Sequence, residues 1–193
     1  MGNRRIGRKR LKSLMNRGVT DTITAGANSP TVTRQTTMRI GNKIITEISV
    51  DLASNSTASN TALARVIGKA SATENCFIAE ISQATHGLIT YAEMACLEIP
   101  AGGVVDIDLR LGTASDDDQG SGTVSGGVVL IECAADLTKG SRVGAAVTEA
   151  DYESDSAKYL YLTSGKTGTT GAYSTGKLLI TLEGIATDAV PDA

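Results

Sequence analysis

The sequence predicts a mainly β protein: an antiparallel β-sandwich or jelly roll of roughly eight strands with an extended N-terminal basic arm. Three observations carry that expectation. Runs that alternate apolar and polar side chains recur between residues 43 and 185, and no long stretch keeps a helical period. Turn-forming residues separate these runs, with 21 Gly in a chain of 193 residues. Charge is unevenly placed: Arg4, Arg5, Arg8, Lys9, Arg10, Lys12 and Arg17 supply seven of the 18 basic residues with no acid among residues 1–17. The remainder holds 11 basic against 21 acidic residues, a net charge of -10. The length suits one domain with a single core. One Phe, five Tyr and no Trp mean that Ile, Val, Leu and Ala must fill it.

The organisation read from this pattern is an arm and linker at residues 1–36, a β body at residues 37–187 and a C-terminal tail at residues 188–193. In the arm Leu11, Leu14 and Met15 fall on one helical face amid the basic residues, an amphipathic segment too short to hold alone in water. Such a segment orders against an anionic or grooved partner, whether nucleic acid, a membrane surface or acidic protein. Residues 20–37, rich in Thr, Ser, Asn, Gly and Pro, read as linker.

In the body, Ile44, Ile48, Val50 and Leu52 alternate with Ile45, Glu47, Ser49 and Asp51, the first clear strand. Residues 61–69 fit either a helical turn or a short strand around Val66 and Ile67. A further strand holds Phe77, Ala79 and Ile81 against Ile78 and Glu80. After a turn at Thr85-His86-Gly87 comes a run placing Ile89, Tyr91, Ala95, Leu97 and Ile99 on one face. Pro100-Ala101-Gly102-Gly103 then leads into Val105, Ile107, Leu109 and Leu111, interleaved with Asp106, Asp108 and Arg110 as a wetted face. The two runs are expected to pair as a hairpin. An exposed loop at Asp116-Asp117-Asp118 precedes an apolar strand in residues 124–133 and a weaker one in residues 143–147. Consecutive Val128, Val129, Leu130 and Ile131 put apolar side chains on both faces, which points to a homo-oligomer, a trimer by analogy with threefold sites. Finally Leu160 and Leu162 alternate with Tyr159 and Tyr161, and Leu178, Ile180 and Leu182 with Leu179, Thr181 and Glu183. These two runs are expected to form a hairpin around a long Gly/Thr/Ser/Ala loop.

No catalytic constellation is legible, and the chain reads as a non-enzyme without cofactor or metal. Gly165-Lys166-Thr167 lacks the upstream Gly of a phosphate loop, and residues 171–177 have the spacing but end in Leu178, with a strand following instead of a helix. Asp116 to Asp118 and Asp151-Tyr152-Glu153-Ser154-Asp155 read as solvated charge, not a Ca²⁺ loop. His86, the one histidine, reads as a surface turn residue. Cys76, Cys96 and Cys133 are far apart with no C-x-x-C pairing, so buried thiols are expected. Ile6 stands where a myristoylation signal needs Ser or Thr, and no apolar run approaches the ~18 residues of a membrane span. A host-cytoplasmic origin without signal peptide or membrane association is the expectation. The sequon Asn55-Ser56-Thr57 then carries no meaning.

Glu93-Met94-Ala95-Cys96-Leu97-Glu98-Ile99-Pro100-Ala101-Gly102-Gly103, running into Asp106-Ile107-Asp108-Leu109, resembles small virion structural proteins of tailed, particularly marine, bacteriophages. The opening Met1 to Leu11, the segment Ile44 to Leu52 and the ending Tyr159 to Ile180 resemble them as well. The resemblance implies a non-enzymatic virion component, of capsid decoration, cement or minor capsid type. It names no active residues. Its partners would be further copies of itself and the major capsid protein or other virion subunits. The arm residues Arg4, Arg5, Arg8, Lys9, Arg10, Leu11, Lys12, Leu14, Met15 and Arg17 would make the contact. One rival is a nucleic-acid-binding coat or packaging protein whose arm meets the genome. A second is a glycan-binding or hydrolytic β-sandwich, for which only Tyr91, Tyr152, Tyr159, Tyr161 and Tyr173 are available to stack on sugars.

Overall fold

The alternation of residues 43–51 is realised as a strand in the middle of a six-stranded sheet. The computed structural model describes residues 18–53, 56–58, 65–69, 74–117, 124–133, 135–148, 158–165 and 171–186. The strands of the first half are β1 (Gly18–Asp21), β2 (Thr31–Ile40), β3 (Lys43–Asp51), β4 (Ser56–Ala58), β5 (Gly68–Lys69) and β6 (Ala79–Ile81). One helical turn, α1 (Gln83–His86), follows. Then come β7 (Leu88–Ala101), β8 (Ile107–Gly112), β9 (Val128–Ile131), β10 (Arg142–Ala146), β11 (Lys158–Ser164), β12 (Gly171–Ala172) and β13 (Thr175–Ile185).

The protein is mainly β with antiparallel sheets, as expected, but it has thirteen strands among the described residues, not eight. They are ordered β1-β2-β3-β13-β7-β10 in the large sheet, β6-β11-β8-β9 in a second, and β12-β4-β5 in a third. One continuous apolar cluster unites the two larger sheets. Ile48, Val50, Met94, Leu178 and Ile180 enter it from the large sheet, and Ile107, Leu109, Leu130, Leu160 and Leu162 from the second. Two sheets that each bury one apolar face into a shared core are held together chiefly by removing that area from water.

Residues 18–40, expected in large part as linker, are built into the sheet. All four residues of β1 pair with β2, and β2 pairs with β3 from Thr31↔Asp51 to Ile40↔Lys43. Gly41 at φ 63 makes the turn between β2 and β3, a conformation that costs a Cβ-bearing residue energy. Of residues 61–69, where a helical turn or a strand is expected, 61–64 lie outside the described residues; Val66 makes an isolated bridge to Thr163, and Gly68–Lys69 form β5, which pairs with β4.

Both expected long hairpins are absent, because their arms lie in different sheets. β11 pairs with β6 and β8, while β13 pairs with β3 and β7. The chain between them carries β12, which pairs with β4 in the third sheet. Likewise β7 and β8 do not pair with each other. Gly102, at φ 88 and with its α-carbon packed against the Ala172 carbonyl, turns the chain from the first sheet to the second.

The expected face of β7 is also corrected. Ile89 is buried, but beyond it Ala92, Met94 and Cys96 fill the core, while Leu97 and Ile99 are exposed. Ile89 pairs with Gly184 and Tyr91 with Glu183, which leaves Thr90 as an extra residue in β7. A bulge of one residue exchanges the two faces of everything that follows.

Asp106 and Asp108 are buried, contrary to the expected wetted face. Asp108 Oδ1 accepts the Cys133 backbone N–H at 2.9 Å, and its other oxygen lies 3.8 Å from Arg110. Asp117 is likewise buried, not an exposed loop residue, and holds Ser125 through its backbone N–H at 2.8 Å and its hydroxyl at 2.7 Å. Cys76, Cys96 and Cys133 are free and buried, as their spacing suggested. Burial, followed by Asp108 and Asp106, pushes the Cys133 thiol up to about 12, so it stays protonated at neutral pH.

Candidate functional site

At its β1–β2 end the large sheet keeps its strand pairing but changes what it presents inward. Thr20 of β1 pairs with Thr37 of β2, which pairs with Thr46 of β3. Gln35, two residues back on the same face, pairs with the apolar Ile48. Hydroxyls and an amide therefore stand where the centre of the sheet places Ile and Leu. A cavity of about 320 Å³ lies here, lined by Thr20, Thr22, Thr24, Gln35, Thr37, Glu80, Ser82, Thr85 and His86.

Its wall is cross-braced by side-chain hydrogen bonds. Thr24 donates to Gln35 Oε1 from both its backbone N–H at 2.9 Å and its hydroxyl at 3.2 Å. The same hydroxyl accepts the Glu80 backbone N–H at 2.9 Å, which ties β6 of the second sheet to this corner. The hydroxyls of Thr37 and Thr46 lie 3.2 Å apart in a buried pair. With Gln35 Oε1 committed to Thr24, the two N–H donors of that side chain remain for the cavity.

His86 is buried, not the surface turn residue that its neighbours Thr85 and Gly87 suggested. It closes α1, and the next residue, Gly87 at φ 70, packs so tightly on the Ile185 carbonyl that no side chain fits there. Burial holds the imidazole below its ordinary value of 6.5, outweighing the Ser82 hydrogen bond that acts the other way, so the ring is neutral. Nδ1 lies 3.1 Å from the Ser82 backbone nitrogen and 3.2 Å from its carbonyl oxygen, so Ser82 satisfies it in either tautomer. Nε2 is buried and has no hydrogen-bond partner among the described residues.

The structure brings none of the other sequence-derived candidates to this cavity. The arm residues Arg4 to Arg17 lie outside the described residues, as do Asp118, Lys166, Thr167 and residues 151–155. Gly171–Ala172 and Thr175–Ile185 are strands, so the glycines here lead into sheet and not into the helix that a phosphate loop opens. Tyr161 is fully buried and donates to the Ala114 carbonyl at 2.7 Å. Tyr173 is buried as well and donates to Val104 at 2.8 Å, and Tyr159 packs on Phe77. These rings are structural. Among the described residues no three His, Cys, Asp or Glu side chains group as a metal site.

Sequence reasoning missed the whole cavity. The signal was present in Thr20, Thr22 and Thr24, a period-two row of β-branched hydroxyl residues that polar composition disguised as linker. Comparison with known protein families, curated proteins and solved structures finds no match for this chain.

Proposed function

We propose that the protein is a non-enzymatic structural component of a bacteriophage particle, a capsid decoration, cement or minor capsid protein that its N-terminal basic arm anchors. The observation that supports this most is where the arm is rooted. Gly18, the residue after the basic segment, opens β1 at the outer edge of the large sheet, so residues 1–17 depart from one edge of an acidic body. Seventeen residues reach up to about 60 Å when extended, enough to cross onto a neighbouring subunit. Seven positive charges without an acid suit an anionic surface, and Leu11, Leu14 and Met15 suit a protein groove more than a phosphate backbone.

Self-association, as a trimer, belongs to the same proposal, but its basis moves. In β9 Leu130 and Ile131 are buried, which leaves Val129 as the exposed member of that run. A broader apolar surface lies on the outer face of the large sheet. Val19, Met38 and Ile45 form one cross-strand row, and Ile40 and Ile185 flank Lys43 in the next. Val19 is 53% exposed, and Ile40 and Ile185 are each 45% exposed. Burying such a surface between copies is favourable.

The test deletes residues 1–17 and, separately, replaces Leu11 and Leu14 by Ser, then compares incorporation into empty and genome-filled particles. Both changes are expected to abolish incorporation into either. Harmless Leu substitutions, with a loss confined to filled particles, would make the arm a nucleic-acid tether instead.

A further inference from the structure

We infer that the cavity between β1, β2, β6 and α1 is a binding site for a small, uncharged polyhydroxylated ligand, a single sugar residue in size and chemistry. Three features of its wall select that class. Among the described residues Glu80 is its one charged side chain and no Lys or Arg lines it, which disfavours phosphates and carboxylates. A lone carboxylate is too few hard ligands for a divalent cation. The described lining residues all carry a polar side-chain group, beside which the threonine methyls supply apolar surface, so the wall suits a ligand with both O–H and C–H faces more than a lipid.

What remains is a ligand that both donates and accepts many hydrogen bonds without carrying charge. The cavity offers both kinds of partner. Gln35 supplies N–H donors, because its oxygen is held by Thr24, and His86 Nε2 is a buried ring nitrogen without a partner among the described residues. Glu80 supplies an acceptor, and the hydroxyls of Thr20 and Thr22 act in either sense. Leaving a buried polar nitrogen unpaired is costly, and a ligand hydroxyl, donor and acceptor at once, would recover that cost at Nε2. A volume of about 320 Å³ lies at the small end of ligand sites, fitting one sugar ring and not a nucleotide. Among the described residues no Phe or Tyr lines the wall, so recognition rests on hydrogen bonds and not on stacking. Braced from both sheets by the Thr24 hydroxyl, the site is largely formed before the ligand arrives.

The inference concerns the body alone. Arm variants that fail to enter particles leave it standing, and a failure of sugar binding leaves the arm reading standing. The experiment is saturation-transfer NMR on the full chain with methyl glucoside, methyl galactoside, N-acetylglucosamine and, as a control, glycerol. A second arm uses oligosaccharides that end in each of those sugars. At least one sugar is expected to bind. Binding of the free sugar identifies a small solute as the source, and binding of the oligosaccharide alone identifies a glycan terminus. Thr22→Val, isosteric and at an exposed position, and Gln35→Glu, which keeps the acceptor for Thr24 but removes the N–H donors, should each weaken binding about tenfold while the protein stays folded. Absence of binding by every sugar, binding unchanged in both variants, or glycerol saturating as strongly as the sugars would overturn the inference.

Discussion

The centre of the large sheet and its β1–β2 end are joined by the same antiparallel ladder, yet they do opposite things with the space beneath them. At the centre Ile48 and Ile180, paired across β3 and β13, are fully buried and close-packed against the second sheet. At the end Thr20, Gln35 and Thr37 face the same way and leave a cavity instead. Backbone pairing is therefore indifferent to the choice of side chain, while the choice decides between a packed core and a place for a ligand. Stability should be concentrated in the first region and sensitivity to pH in the second.

Substitution at the two regions should separate them by size of effect. Ile48→Ala removes a fully buried side chain from the middle of the core and should cost about 2–5 kcal/mol in denaturant unfolding. Thr37→Val keeps the shape but breaks the hydroxyl pair with Thr46 and should cost about 1 kcal/mol. Equal losses at the two positions would erase the distinction.

His86 sharpens it further. Its folded value lies below 6.5, so as pH falls the unfolded chain takes up the proton first. The contribution of His86 to stability is thus full above about pH 6.5 and declines as pH drops toward the lowered folded value. Asp108 acts in the opposite sense. Burial raises its carboxyl above 3.8, so the folded chain keeps that proton longer and loses stability as pH rises through the raised value. The melting temperature of His86→Gln, compared with the parent between neutral and acidic pH with Asp108 unchanged, isolates the histidine. The variant is expected to lose less stability on acidification, and parallel curves would show that His86 carries no such load.

Much of the fold was legible in the sequence. Period two in residues 43–52 and 178–183 gave the buried faces of β3 and β13 correctly, because both strands wet one face and bury the other. Strand partners were not legible. Period two says that a run is a strand but not which sheet receives it, and Gly102 and β12 send successive strands to different sheets. Burial on both sides also misleads the eye: Asp106 and Asp108 look like wetted positions until Gly165 packs on the first and the Cys133 N–H meets the second. The Thr90 bulge left no trace in the pattern and reversed the reading of Leu97 and Ile99. Residues 18–40 went unrecognised because hydroxyls, not apolar side chains, mark the inward face there, although Ile40-Gly41-Asn42-Lys43 is a two-residue hairpin signal.

The central claim is that the polar residues from Gly18 onward belong to the body and that only residues 1–17 are arm. Two shortened chains test it directly by thermal unfolding followed with circular dichroism. A chain beginning at Gly18 should melt cooperatively at the temperature of the full protein. One beginning at Thr37 loses β1 and more than half of β2, uncovers the edge of β3, and should lose its cooperative transition or melt far lower. Equal melting of the two shortened chains would contradict the account and return residues 18–36 to the role of linker.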